Sequence, residues 1–239
     1  MNIVITGATS MIGTCLLKKC MGYGATVYGV VRKDSDYLSR VENIDGLKLI
    51  YCDIEEYGNL PRLIGEKCDV FYHLAWKGAG SNAKRNGDLK QQTENIIYTL
   101  DALKAAHELG CRTFVGAGSQ AEYGLKDVSA ISPDESVDPV QPYGIAKYAA
   151  GKMAGIQAER YGMNCFWVRI FSVYGEFDSP HTMISYTIEK LKKRELPRYT
   201  PAGQTWDYLY CEDAAEALYL IGKQDRGNKV YCLGGGIGK

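Results

Sequence analysis

Tyr143 and Lys147 stand four residues apart in PYGIAK (142–147), at the start of a stretch that reads as a helix to about Tyr161. Positions i and i+4 share one helix face, a turn apart. A tyrosine with a pKa near 10 is a poor base at neutral pH, and a neighbouring ammonium favours its phenolate. Moving it toward about 7 takes roughly 3 units, or about 4 kcal/mol of differential stabilisation. The chemistry such a pair can do is proton transfer at a hydroxyl or carbonyl. The glycine after Tyr143 does not single it out, because Tyr-Gly occurs seven times, at Tyr23, Tyr28, Tyr57, Tyr123, Tyr143, Tyr161 and Tyr174. Lys147 does.

A second cluster opens the chain. After the apolar run NIVIT comes Gly7-Ala-Thr9-Ser10-Met11-Ile12-Gly13. The first glycine permits a tight turn, and the last lets a helix pack close to the strand. The helix start then offers free N–H groups to a dinucleotide pyrophosphate. Ser10 replaces the middle glycine, and its hydroxyl is a hydrogen-bond donor there. At the end of the second strand, where a carboxylate would hold a ribose 2′-hydroxyl, the chain reads Val30-Val31-Arg32-Lys33. Arg32 and Lys33 suit a 2′-phosphate, so the sequence favours NADP over NAD.

These groups need a frame. Strand patterns at 2–6, 25–31, 47–53, 69–75, 112–118 and 164–171 alternate with helical spacing at 11–21, about 83–109 and 143–161. Such alternation implies right-handed crossovers and a Rossmann-type, doubly wound parallel sheet covered on both faces. Ligands then bind beyond the carboxyl ends of the strands. After Tyr174 the pattern changes to turn-rich segments around a basic helix at 183–194, a second helix in DAAEALYLIG, and the ending YCLGGGIGK. Residues 1–174 are expected to form the dinucleotide-binding domain. Residues 175–239 are expected to form a small substrate lobe interleaved with it, and incomplete.

The chain has 239 residues with 28 basic and 28 acidic side chains, so no global field favours nucleic acid or an anionic membrane. No apolar run reaches spanning length, and no secretory signal is evident. The eight cysteines form no C-x-x-C pair, which fits reduced thiols in a cytoplasmic protein. His73, His107 and His181 show no metal-ligand spacing, and no metal is expected.

Taken together, TGATSMIG (6–13), CDI (52–54), HLAW (73–76), GSQAEYG (118–124), PYGIAK (142–147), RIFSVYG (169–175) and WDYLYCEDAAEAL (206–218) resemble the extended short-chain dehydrogenase/reductases, in their nucleotide-sugar epimerase/dehydratase/reductase branch. The resemblance implies a catalytic set of Ser119, Tyr143 and Lys147, with Ser119 just past the fifth strand bonding the reacting oxygen. It implies cofactor contacts from Asp53 (to adenine), Ile54, Leu74, Ala75, Trp76, Phe171 and Val173, and from Tyr143 and Lys147 themselves. Gln120, Tyr123, Ser172, Arg198 and Trp206 are expected at the substrate, with Tyr123 as a pocket wall.

The branch's 4,6-dehydratases place a Glu two residues before the Tyr-Gly tyrosine. Here Gln120 and Ala121 occupy those places, and Glu122 is displaced by one, so its side chain should point elsewhere. A keto-deoxysugar reductase is favoured, with a 4-epimerase as the alternative and a non-catalytic NAD(P)-binding sensor as a third reading. Trp206 stands where the family usually has a phosphate-clamping Arg. Arg198 and the Lys192–Arg194 run are possible substitutes, and Trp206 could stack a base. Helices 83–109 and 143–161 are expected to pair in a homodimer.

Overall fold

The computed structural model describes residues 1–79, 88–126, 128, 130–201, 203, 205–225 and 227–236. Seven parallel strands form one sheet. They are β1 (Asn2–Thr6), β2 (Thr26–Val31), β3 (Lys48–Tyr51), β4 (Val70–His73), β5 (Thr113–Ser119), β6 (Asn164–Ile170) and β9 (Lys229–Leu233), in the order β3-β2-β1-β4-β5-β6-β9. The direction of winding reverses between β1 and β4. In an open α/β sheet, that reversal marks the crevice where ligands bind.

Both faces are covered because successive side chains on a strand point opposite ways. Ile3 and Ile5 of β1, Val70 and Tyr72 of β4, and Phe166 and Val168 of β6 face a core shared with helices α1 (Met11–Gly22) and α6 (Cys211–Gly222). Val4, Phe71, Phe114 and Cys165 face the other core, under α3 (Leu89–Glu108) and α4 (Pro142–Tyr161). A short helix α2 (Leu60–Ile64) borders that second core. The predicted start of α3 near 83 lies outside the described residues.

Helix α4 begins on Pro142, whose fixed φ suits the first turn, and ends at Gly162 in the left-handed region. Its close seat on the sheet depends on Trp167. An added Cβ at Gly116, Gly118 or Gly151 would collide with the Trp167 ring, so three glycines open the space that this side chain fills.

Two short strands, β7 (Ser172–Tyr174) and β8 (Tyr208–Tyr210), pair in parallel apart from the main sheet, and helix α5 (Met183–Lys192) lies between them in sequence. Beyond them, α6 packs on α1, and β9 returns to the main sheet beside β6. Among the described residues no helix is long and apolar enough to cross a membrane.

Candidate active site

The carboxyl end of β1 runs straight into the glycine loop. Gly7 holds φ +70°, and an added Cβ would sit 2.9 Å from the amide nitrogen of Ala75, in the segment after β4. Gly13 lies against the carbonyl of Gly7, again with no room for a side chain. Ser10 caps α1: its Oγ accepts from the Gly13 N–H at 3.0 Å, which leaves the hydroxyl hydrogen to donate outward. The first turn of α1 carries no acid to offset the positive end of the helix dipole. Met11 and Ile12 form that first turn, and Ile12 packs into the core. At the end of β3, Asp53 keeps Oδ1 buried without a hydrogen-bond partner. An orphaned buried acceptor is costly unless a ligand donor completes it. A tight loop at a helix start and an unsatisfied carboxylate oxygen together fit an adenine dinucleotide laid across this edge.

Ser119 is the last residue of β5 rather than the first beyond it. Its Oγ accepts from the Ala121 N–H at 3.2 Å, and its own N–H donates to Glu122 Oε1 at 2.8 Å. The cap uses the hydroxyl as acceptor, so its proton is free for a substrate oxygen. An added Cβ at Gly144 would strike the Ala121 carbonyl, so the glycine lets the first turn of α4 abut the Ser119 turn. Lys147 is 3% exposed. Its Nζ donates to the Ala117 carbonyl at 2.6 Å and sits 3.7 Å from the centre of the Trp76 ring and 5.8 Å from that of Tyr143. Trp76 is fixed by its Nε1 donating to Gln92 Oε1 at 2.9 Å, and it meets Tyr143 edge-on at 6.0 Å. An indole face attracts an ammonium, more strongly out of water. The structure thus brings Ser119, Tyr143 and Lys147 together on one edge, with Trp76 beneath the lysine.

Glu122 points inward. Its Oε1 accepts from Trp167 Nε1 at 2.9 Å, and its Oε2 from Arg169 Nε at 2.8 Å. Arg169 also donates through Nη1 to the Tyr123 hydroxyl at 2.8 Å. Tyr123, expected as a pocket wall, is therefore corrected. It is fully buried, its hydroxyl donates to the Ser132 carbonyl, and burial together with Cys232 pushes that hydroxyl up to about 12. The guanidinium of Arg169 draws this ring into the core and away from the crevice.

His73, at the end of β4, is also out of water. Burial, and then the charge of Lys147, push it down to about 3, so it is neutral. Its Nδ1 pairs with Thr6 Oγ1 at 3.0 Å, which ties β4 to β1 below the loop. Leu74 and Ala75 follow it, half-buried, against Gly7.

The remaining expected positions spread out. Ile54 is buried, and Phe171, Ser172, Val173 and Gln120 are half-buried near the ends of β5 and β6. Arg198 is exposed, and its backbone N–H donates to the Tyr186 hydroxyl. Trp206 is 41% exposed and lies 6.5 Å from the Tyr208 ring. Asp207 accepts from the N–H groups of Gly235 and Gly236, so the glycine turn after β9 is fastened to this segment. Arg32 and Lys33 are exposed.

The family model of NAD-dependent epimerases and dehydratases matches residues 3–234. The chain belongs to this family. It is 27% identical to the UDP-glucose 4-epimerase of Mycolicibacterium smegmatis, over 99% of this chain and 78% of that protein. It is 26% identical to a trifunctional UDP-glucose 4,6-dehydratase/UDP-4-keto-6-deoxy-D-glucose 3,5-epimerase/UDP-4-keto-L-rhamnose-reductase of Arabidopsis thaliana, over 98% of this chain and 37% of that protein. The solved structure of MoeE5 in complex with UDP-glucose and NAD superposes with a TM-score of 0.83 at 26% identity, covering 98% of this chain and 76% of that one.

Within the family frame, two residues carry weight that no sequence pattern flagged. Gln92 orients Trp76 from a helical position where it is one polar residue among several, in LKQQTEN (89–95). Arg40 reaches the glycine loop from the connection between β2 and β3, donating to the Thr9 carbonyl at 3.0 Å. Neither falls in a motif, and both depend on contacts distant in sequence.

Proposed function

We propose that this protein moves a hydride to or from a sugar carbon of a nucleotide-activated sugar, with NAD(P) held along the carboxyl edge of the sheet. The observation that carries the reading is the convergence of Ser119, Tyr143 and Lys147 at that edge, with Lys147 Nζ fixed between the Ala117 carbonyl and the Trp76 ring. Gly7–Gly13 would hold the pyrophosphate, Asp53 the adenine, and Lys147 the nicotinamide ribose. The nicotinamide, when bound, accepts or supplies the hydride. The Ser119 hydroxyl donates to the reacting oxygen. The Tyr143 hydroxyl takes the proton from a sugar alcohol or returns it to a ketone, and the Lys147 ammonium stabilises the phenolate.

Within this class, a reductase acting on a keto-deoxysugar with NADPH is supported by Arg32 and Lys33 standing where a ribose-binding acid would be. A 4-epimerase using NAD is the second reading, favoured by the name of the M. smegmatis relative and by the NAD in the MoeE5 complex. The inward turn of Glu122 speaks against a dehydratase. Turnover of a keto-sugar with NADPH should fall by about 10²–10⁴ in Tyr143→Phe. Unchanged turnover in that variant sinks the mechanism. Mass spectrometry of the purified protein separates the two directions: stoichiometric retained NAD selects the epimerase, and an empty site that takes up NADPH selects the reductase.

The reading includes a homodimer through α3 and α4, which leave Ile97, Met153 and Ile156 about half exposed. It also includes a cytoplasmic setting, which fits eight free cysteines.

A further inference from the structure

Arg40 lies where three segments meet. Its Nη1 donates to the carbonyl of Thr9, in the middle of the glycine loop. Its guanidinium carbon is 4.0 Å from the ring centre of Tyr37, in the β2–β3 connection, and 4.6 Å from that of Phe177, in the turn after β7. Phe177 holds φ +68°, a left-handed conformation uncommon for a residue other than glycine. The ring is kept against Arg40 at some backbone cost. A guanidinium packed on aromatic rings loses little freedom when it binds an anion, because its plane is already set.

The charge at Arg40 is not neutralised. Among the described residues no carboxylate pairs with it, and the first turn of α1 carries no acid. One N–H is used on Thr9, while the planar fork has five. Two sources of positive potential, the start of α1 and this guanidinium, therefore flank the same loop. Arg32 and Lys33, by contrast, are exposed.

We infer that Arg40 is a phosphate-binding residue of the cofactor site, taking a phosphate of the ADP half of the dinucleotide. The inference rests on the hydride-transfer reading above. The phosphate is either one of the pyrophosphate or a 2′-phosphate, and the chemistry of recognition is the same. Through Phe177, the residue also joins the cofactor loop to the segment leading into the substrate lobe.

The experiment is a calorimetric titration of the full chain with NADH, NADPH and adenosine, at low and high salt. Wild type, Arg40→Leu and Arg40→Lys are compared. Arg40→Leu should weaken binding about tenfold or more and flatten its salt dependence, with adenosine affinity unchanged. Arg40→Lys should lie between the two, keeping the charge and losing the fork. Weakening of both dinucleotides assigns Arg40 to the pyrophosphate, and weakening of NADPH alone assigns it to the 2′-phosphate. Wild-type affinity for both dinucleotides in Arg40→Leu overturns the inference. So does an equal loss of adenosine binding, which would mark a structural role. An unaltered chain that binds neither dinucleotide overturns the hydride-transfer reading itself.

Discussion

Glu122 and Arg169 form an ion pair that water does not reach: the Nε–Oε2 distance is 2.8 Å, and the side chains are 0% and 5% exposed. Pairs of this kind are sensitive to the loss of one partner, because the other charge is left buried and uncompensated. Glu122→Ala should lose about 3–5 kcal/mol of stability, read as a fall in the urea midpoint. The double variant Glu122→Leu/Arg169→Met should recover much of that loss. A double variant no more stable than Glu122→Ala would show that the contacts to Trp167 and Ser119, rather than the lone guanidinium, set the cost.

On the proposed mechanism, removing the Ser119 hydroxyl deprives the reacting oxygen of its donor, at the cost to the fold of one cap bond from the Ala121 N–H. Ser119→Ala should lower kcat by about 10²–10³ while changing the cofactor Kd little. Ser119→Thr should keep most of the activity. A Kd for the cofactor that rises in step with the loss of kcat would instead place Ser119 in binding.

His73 makes stability depend on acid. Its folded pKa of about 3 lies below the ordinary 6.5, so the unfolded chain binds the proton more readily. The neutral ring stabilises the fold above pH 6.5, and that contribution drains away as the pH falls from 6.5 toward 3, at about 1.4 kcal/mol per unit. Urea midpoints should fall over this window in the wild type. His73→Asn should show a shallower fall, and parallel curves for the two proteins would contradict this assignment.

The half-exposed Ile156 and Met153 on α4 and Ile97 on α3 test the two-fold pairing. In the proposed pairing, Ile156→Glu places a charge among these apolar side chains and should convert a dimer to a monomer in light scattering. Wild type eluting as a monomer at micromolar concentration removes the pairing altogether.

The sheet and its helices were legible because burial on alternate faces leaves apolar runs of strand length between helical repeats. Gly7, Ser10, Tyr143 and Lys147 were legible because local spacing alone defines their geometry. Gly144 was not. Among seven Tyr-Gly pairs it looks incidental, and its reason is the carbonyl of Ala121, across a turn and a loop. Tyr123 read as a pocket residue from its place after β5, but Arg169 on the neighbouring strand draws its hydroxyl into the core. Arg40 sits in an irregular connection, where no periodicity indicates which way a side chain turns.

The outermost strand β9 has one neighbour, β6, and the turn that follows it is held by Asp207 beside β8. The whole stretch from β7 through α6 is thus a loop clasped at its two ends by one strand pairing. Strands with a single neighbour open early in native-state hydrogen exchange. Opening of β9 would free the glycine turn from Asp207 and loosen the segment from β7 through α6 in the same event. If a sugar nucleotide binds against this segment, as the proposed function has it, amide exchange at Val230–Leu233 should slow, making that edge a remote reporter of occupancy.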